Sequence, residues 1–284
     1  MNPDLVDDII RRALAEDAPW GDITSEAFLP TSARATAVFA AREPGILSGI
    51  DVFARVFELV DPTTTIERFV EDGAAFEART VLARVDGSAH ALLRAERIAL
   101  NLTQRMCGIA TLTAKYVAAV AGTSARVVDT RKTTPGLRVL ERKAVRDGGG
   151  HNHRSSLSDA VLAKDNHLAV LAAQGIPIGD AIRAARQRIG HTTHLEVEVD
   201  RLDQIEPVVS AGVDTIMLDN FSLEHLREGV ALVAGRAIVE ASGGVTLDSI
   251  ADIAATGVDI ISVGALTHSV RAIDLGLDVH VVAG

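Results

Sequence analysis

The chain has 284 residues, 48% of them hydrophobic and 23% charged, a globular composition with apolar mass for one large domain or two ordinary ones, not for a disordered, collagen-like or coiled-coil chain. Aromatic residues make up only 3% and the formal net charge is -10, so both the stacking platforms and the charge of a nucleic-acid binder are missing. Cys107 is the single cysteine, which excludes an internal disulfide, and Asp4, Asp7 and Asp8 stand where a secretory leader would be basic and then apolar; the expected compartment is the cytoplasm. No apolar run reaches the roughly 18 residues of a membrane span. Even Ile98 to Val120 is interrupted by Asn101, Gln104, Arg105 and Lys115.

In chain order, Asp4 to Glu16 reads as an amphipathic helix, Ala35 to Ala41 as an alternating strand, Val52 to Leu59 as a helix, and Thr65 to Val70 and Val81 to Val85 as strands. Residues 1–105 thus predict an α+β domain. Ala91 to Ala121 carries apolar residues at three- and four-residue intervals, as one or two helices do. After it the rhythm changes. Short apolar runs recur at Arg126–Asp129, Ala160–Ala163, Leu195–Val199, Thr215–Leu218, Ala237–Val239 and Asp259–Val263, each followed by a polar loop and helix-compatible sequence. Alternating strand and helix predict a parallel sheet, and no glycine-rich dinucleotide turn follows any strand, so a barrel-type α/β fold suits better than a Rossmann sheet. The stretch is short for eight units, which leaves room for an incomplete barrel.

Charge is uneven along this half. From Arg126 to His167 nine Lys and Arg face five Asp and Glu, a local +4, and three of the four lysines, Lys132, Lys143 and Lys164, fall there. A solvated helix face accounts for such a cluster by itself; its place at strand ends points to a site, because parallel α/β barrels carry their chemistry there. The residues after the apolar runs sort into three groups. Arg131, Lys132, Lys164 and the segment Gly148-Gly149-Gly150-His151-Asn152-His153-Arg154 offer cations and backbone N–H groups to a carboxylate or phosphate. Three glycines in a row are costly unless the backbone turns tightly or approaches a ligand. Glu196, Glu198 and Asp219 are carboxylates, the first two on one face of a strand, which suit a hard cation or a developing positive charge. An ordinary structural ion pair is an equal reading for Glu196. Zinc is not expected, since His191 and His194 lack a metalloprotease helix. Ser242-Gly243-Gly244 and Gly264, after the last two strands, have the composition of a phosphate cradle.

Taken together, DTRKTTPGLR at 129–138, GGGHNHR at 148–154, KDNH at 164–167, EVE at 196–198, LDN at 218–220, EASGG at 240–244 and VGALTHS at 263–269 resemble the quinolinate phosphoribosyltransferase family. The helix segments around Arg97 and Gly108-Ile109-Ala110-Thr111 extend the resemblance upstream. It implies an N-terminal α/β sandwich domain, 1–105, joined by the tail 270–284, and an incomplete, seven-stranded TIM-like α/β barrel over 106–269, assembled as a homodimer or larger homo-oligomer. The implied reaction joins quinolinate to phosphoribosyl pyrophosphate with Mg2+, releasing pyrophosphate and CO2 and giving nicotinate mononucleotide for NAD synthesis. It also implies roles. Arg131, His153, Arg154 and Lys164 would bind the carboxylates of quinolinate, with Arg97 supplied by a partner subunit. Lys132 and Lys164 would meet the phosphoribosyl donor, Glu198 and Asp219 its ribose and metal, and Ser242, Gly243, Gly264 and His268 its phosphate. Cys107 departs from the small hydroxyl residue common before Gly-Ile-Ala, and Arg142 and Lys143 are expected on solvated surface.

Two other readings compete. A pyrophosphorylase of the same fold found with molybdate transport would lack part of the set Arg97, Arg131, His153, Arg154 and Lys164. A non-catalytic phosphate-binding barrel would have no use for Glu198 beside Asp219.

Overall fold

The computed structural model describes residues 1–281, so the last three residues of the tail expected to join the first domain lie outside the described residues. Two compact units emerge: Met1–Ala114 with Thr133–Gly149 and the chain from Leu266 onward, and Lys115–Lys132 with Gly150–Ala265. The strands are β1 (Arg34–Ala41), β2 (Gly45–Ile46), β3 (Thr65–Arg68), β4 (Ala75–Phe76), β5 (Val81–Ser88), β6 (Arg126–Val128), β7 (Val161–Ala163), β8 (Leu195–Val199), β9 (Thr215–Asp219), β10 (Ile238–Ser242), β11 (Ile260–Ser262) and β12 (Leu275–Val281).

The first unit is built on an antiparallel sheet of order β12-β1-β5-β3. Alternation in β1 buries Ala35, Ala37 and Phe39, and Phe39 stacks on Phe53 of the helix Ile50–Val60 with ring centroids 4.1 Å apart. Phe57, one helical turn on, lies 5.0 Å from Phe53. These three rings lock helix to sheet, each contributing about 2–3 kcal/mol of burial. The tail closes the sheet, with β12 pairing along β1 from Ala35↔Val281 to Ala41↔Leu275. Its approach depends on Gly108 in the long helix Ala89–Ala119, where an added Cβ would sit 2.2 Å from the Arg271 carbonyl oxygen. Gln104 Nε2, one turn earlier, donates to the Leu275 carbonyl at 2.8 Å.

Thr133–Gly149 packs with the first unit, although it follows β6 in sequence. Its helix, Arg138–Asp147, buries Leu140, Glu141, Ala144 and Val145. Glu141 accepts from Arg105 Nε at 2.7 Å and from the Thr134 N–H at 3.2 Å, so its buried charge is met. Lys143, expected on solvated surface, is instead half-buried between Asp72 and Asp147, with Nζ 2.6 Å from a carboxylate oxygen of each. Sequence spacing hides this, because Asp72 lies far upstream. Lys143→Met should lower stability by about 3–5 kcal/mol, as it strands two poorly solvated carboxylates. Thermal melts should show a fall of roughly 10 °C, partly recovered in Asp72→Asn/Lys143→Met; an unchanged melting temperature would show the triad contributes nothing.

Cys107 is fully buried, its Sγ accepting from the Ser48 N–H at 3.3 Å. Burial pushes the thiol up to about 12, and the thiolate is the reactive form. A maleimide should therefore leave the native protein unlabelled and react stoichiometrically in denaturant. Rapid native labelling would contradict this environment.

The second unit carries a parallel sheet of order β6-β11-β10-β9-β8-β7. The first strand pairs with the last, Val128↔Ser262. A seventh strand was expected, and six are found among the described residues; there the other flank of β6 carries an isolated parallel bridge, Val128↔His151. The polar run His151 to Arg154 has no apolar alternation with which to build a longer ladder. No single helix among the described residues is long and apolar enough to cross a membrane.

Candidate active site

Register decides which side chains meet. Glu196 and Glu198 of β8 lie opposite Thr215 and Met217 of β9, and Glu240 and Ser242 of β10 lie opposite Met217 and Asp219. Side chains two apart share a sheet face, so Glu196, Glu198, Asp219, Glu240 and Ser242 project from one face. Four carboxylates on one buried face are expensive unless each meets a cation or a donor.

Glu196 and Glu240 meet His153. Its Nε2 lies 3.1 Å from Glu196 Oε2 and 3.5 Å from Glu240 Oε2. The segment bearing it is tied to the end of β6 by the fully buried Asp129, which accepts from the His153 N–H and from Asn152 Nδ2, each at 2.7 Å. His153 Nδ1 accepts from the Arg154 N–H at 2.7 Å. Burial penalises a charged His153, but the two carboxylates outweigh it and push the ring up to about 10. Burial also raises Glu196, with Glu240 adding to it and His153 opposing.

Arg154 Nη1 donates to the Ala160 carbonyl at 2.9 Å. Burial and then the charge of Arg131 lower its pKa, with Glu196 acting the other way. Guanidiniums whose charges act on one another in this way suit an incoming anion. Among the glycines leading into this segment, Gly148 is required by packing: a Cβ there would meet the Ala110 carbonyl oxygen at 2.4 Å. Gly149 takes φ 84° to turn the chain. Packing and the turn thus account for Gly148 and Gly149.

Glu198 is buried and paired with Lys164 Nζ, the residue preceding the helix Asp165–Ala173. Lys164 is set by His167, whose Nδ1 accepts the Lys164 N–H at 3.0 Å. Glu198, Asp219, Asn220, Asp165 and Asn166 border a cavity of about 750 Å3. Asp219 Oδ2 accepts from Asn220 Nδ2 at 2.7 Å. Asn220 itself has φ 59°, a conformation Asn tolerates better than most residues, and its N–H donates to the Ser242 carbonyl at 2.9 Å.

Gly243 and Gly244 both have positive φ, 92° and 59°. A Cβ on Gly243 would fall 2.2 Å from Asn220 Oδ1, so the close approach of the two strand ends requires glycine. The next helix begins only at Ile250, so the glycine pair does not open directly into a helix. Gly264 does, preceding the short helix Ala265–His268.

Arg131, Lys132, His153, Arg154, Lys164, Glu198, Asp219, Ser242, Gly243 and Gly264 all belong to the second unit. Arg97, exposed on the long helix, and His268, whose Nδ1 lies 2.6 Å from Ser269 Oγ, belong to the first. His194 pairs with Thr215 Oγ1 at 2.8 Å, at the far end of β8 from Glu198. Sequence reasoning assigned no role to Asp129 or Glu240. Asp129 opens the DTRK motif and Glu240 the EASGG motif, so both were visible as charged residues at apolar strand ends.

Residues 22–107 match the quinolinate phosphoribosyl transferase N-terminal domain and residues 109–278 its C-terminal domain. The chain belongs to the quinolinate phosphoribosyltransferase family. It is 44% identical over 282 residues, 97% of each chain, to the nicotinate-nucleotide pyrophosphorylase [carboxylating] of Mycobacterium leprae. It is 39% identical to the Bacillus subtilis protein named as a probable enzyme of that kind, covering 95% of this chain and 92% of that one. Among solved structures, NadC from Streptococcus pyogenes superposes with a TM-score of 0.94 at 39% identity, over 100% of this chain and 99% of that one. The family fold is thus shared from the first sheet to the parallel sheet.

Proposed function

We propose that the carboxylate-bearing face of the parallel sheet is a two-substrate active site, with the acceptor held on its cationic side and the phosphoribosyl donor on its acidic side. The chain is a pentosyltransferase: it joins quinolinate to phosphoribosyl pyrophosphate, giving nicotinate mononucleotide, pyrophosphate and CO2 in the de novo synthesis of NAD. One observation carries the assignment of sides. The charges of Arg131 and Glu196 both act on Arg154, while Glu198 and Asp219 border the cavity of about 750 Å3.

In this reading Arg131, His153, Arg154 and Lys164 receive the two carboxylates of quinolinate, and a partner subunit of a homodimer or larger homo-oligomer supplies Arg97, which stands exposed on its helix. Lys132 and Lys164 face the donor, and Ser242, Gly243 and Gly264 take its terminal phosphate. The reaction belongs to the cytoplasm. Residues 106–269 carry the chemistry, and 1–105 with the tail 270–284 supply the supporting domain.

Glu198 and Asp219 are hard oxygen donors bordering one cavity, a set that suits a divalent cation, Mg2+ in this reading. Such an ion would neutralise charge on the pyrophosphate leaving group. The chain's own residues act on the sugar and the ring. As the anomeric C–O bond breaks, positive charge develops on the ribose, and the carboxylates of Glu198 and Asp219 stabilise it. Arg131 and Arg154 hold the ring so that its nitrogen faces that carbon. Once bonded there, the nitrogen is cationic, and the ring holds the electron pair left when the adjacent carboxylate departs as CO2. A proton then replaces it.

Purified protein with quinolinate, phosphoribosyl pyrophosphate and Mg2+ should release CO2 and form the mononucleotide in equal amounts. Absence of both products would overturn the reading.

A further inference from the structure

Among the described residues, twelve glycines and three other residues, Arg79, Asn220 and Ala234, take positive φ. Glycine adopts that conformation without steric cost, so Asn220 keeps a side chain where the backbone alone would favour none. Three contacts place its amide. Nδ2 donates to Asp219 Oδ2 at 2.7 Å, and since an ionised carboxylate only accepts, the nitrogen end of the amide must be the end that faces it. An added Cβ on Gly243 would collide with Asn220 Oδ1 and Cγ, so the amide fills the space that this glycine leaves. The Asn220 N–H donates to the Ser242 carbonyl at 2.9 Å, which fixes the backbone from which the amide reaches. Among the described residues no other hydrogen bond or ion pair meets the Asp219 carboxylate, whereas Glu198 is held by Lys164.

We propose that Asn220 is a positioning residue for the phosphoribosyl donor: its amide, seated between Asp219 and Gly243, holds the Asp219 carboxylate in the orientation that meets the ribose and its divalent cation. Without that contact the carboxylate is free to turn in the cavity it borders. Carboxylates that ligate a cation are themselves hydrogen-bonded, and loss of such an outer partner typically costs about 10–100-fold in metal affinity or activity. The same amide touches the acidic end of the donor subsite and the glycine turn that takes the phosphate, so one side chain sets the spacing between them. The inference rests on the donor side assigned above.

The test uses the full-length protein and two substitutions that suit a positive φ yet lose the amide donor. Asn220→Gly suits it best, and Asn220→Asp tolerates it as Asn does while setting a second carboxylate against Asp219. Both should weaken calorimetric binding of phosphoribosyl pyrophosphate in Mg2+ by about tenfold or more, raise the Mg2+ needed for half-maximal rate, and leave quinolinate binding within about threefold. The melting temperature of Asn220→Gly should stay close to that of the wild type, since the backbone gains no strain. Asp219→Asn/Asn220→Gly should bind the donor about as tightly as Asp219→Asn alone, because the amide acts only through the carboxylate. Donor affinity within about threefold of the wild type in either variant, equal losses for both substrates, or additive losses in the double variant would each overturn the inference. So would a marked fall in the melting temperature of Asn220→Gly, which would make the residue a packing element. Wild-type protein that binds no phosphoribosyl pyrophosphate in Mg2+, or an Asp219→Asn variant that loses only quinolinate, would instead remove the donor-side reading itself.

Discussion

Glu198→Gln is expected to lower kcat by roughly 10²–10³-fold, the loss typical of removing one electrostatic contact to a transition state, with the quinolinate KM nearly unchanged. The substitution keeps shape and removes charge at a residue that is 7% exposed and borders the donor cavity. Its present partner, Lys164, is 46% exposed at the side chain, so the orphaned ammonium returns to solvent and the fold loses little, on the scale of a surface pair at about 1 kcal/mol or less. Rate and stability therefore separate. Asp219→Asn should behave similarly, and both variants should need more Mg2+ for half-maximal rate. Steady-state kinetics with thermal melts check the point: a fall in rate matched by a fall in melting temperature, or a rise confined to the quinolinate KM, would remove Glu198 from the acidic side of the site.

The strands that carry these carboxylates were legible because a buried parallel strand reads as an apolar run, and a charged residue inside such a run stands out. Leu195 to Val199 shows this best: all five residues are buried, and only the two glutamates break the pattern. What they touch was not legible. Glu196 and Glu240 come together over two intervening strand pairings, β8 with β9 and β9 with β10, and register is a property of the sheet. The bridge at His151 escaped for another reason: Asp129 and backbone pairing hold it, with no apolar signal. Lys143 misled in the opposite direction, since helical spacing shows which face a lysine occupies but not that Asp72 arrives there from another loop. The glycine run before His151 announced tight backbone correctly, yet two of its glycines serve packing and a turn. Residues whose environment is local were read well; residues defined by partners across strands were read only as charges.

Arg154→Ala should raise the quinolinate KM by roughly 100-fold or more, while affinity for phosphoribosyl pyrophosphate stays within about threefold. A carboxylate received by a guanidinium in poorly hydrated surroundings is a charge-assisted contact worth about 1.5–3 kcal/mol as a hydrogen bond, and removal leaves the substrate's charge unmet as well. The structure favours an asymmetric outcome. In the absence of substrate Arg154 is strained electrostatically, by burial and by Arg131, so an incoming dianion relieves a repulsion as well as forming a pair. Removing one guanidinium leaves Arg131 more comfortable in the empty site, which keeps the fold intact and weakens only the bound state. Arg131→Ala should therefore show the same selectivity. The double variant should lose less than the sum of the two, because each single variant has already relieved the repulsion that the dianion would otherwise relieve. Calorimetric titration of each ligand into the three variants decides it. Equal weakening of both ligands, or strictly additive losses, would mean that Arg131 and Arg154 do not share one carboxylate-binding site.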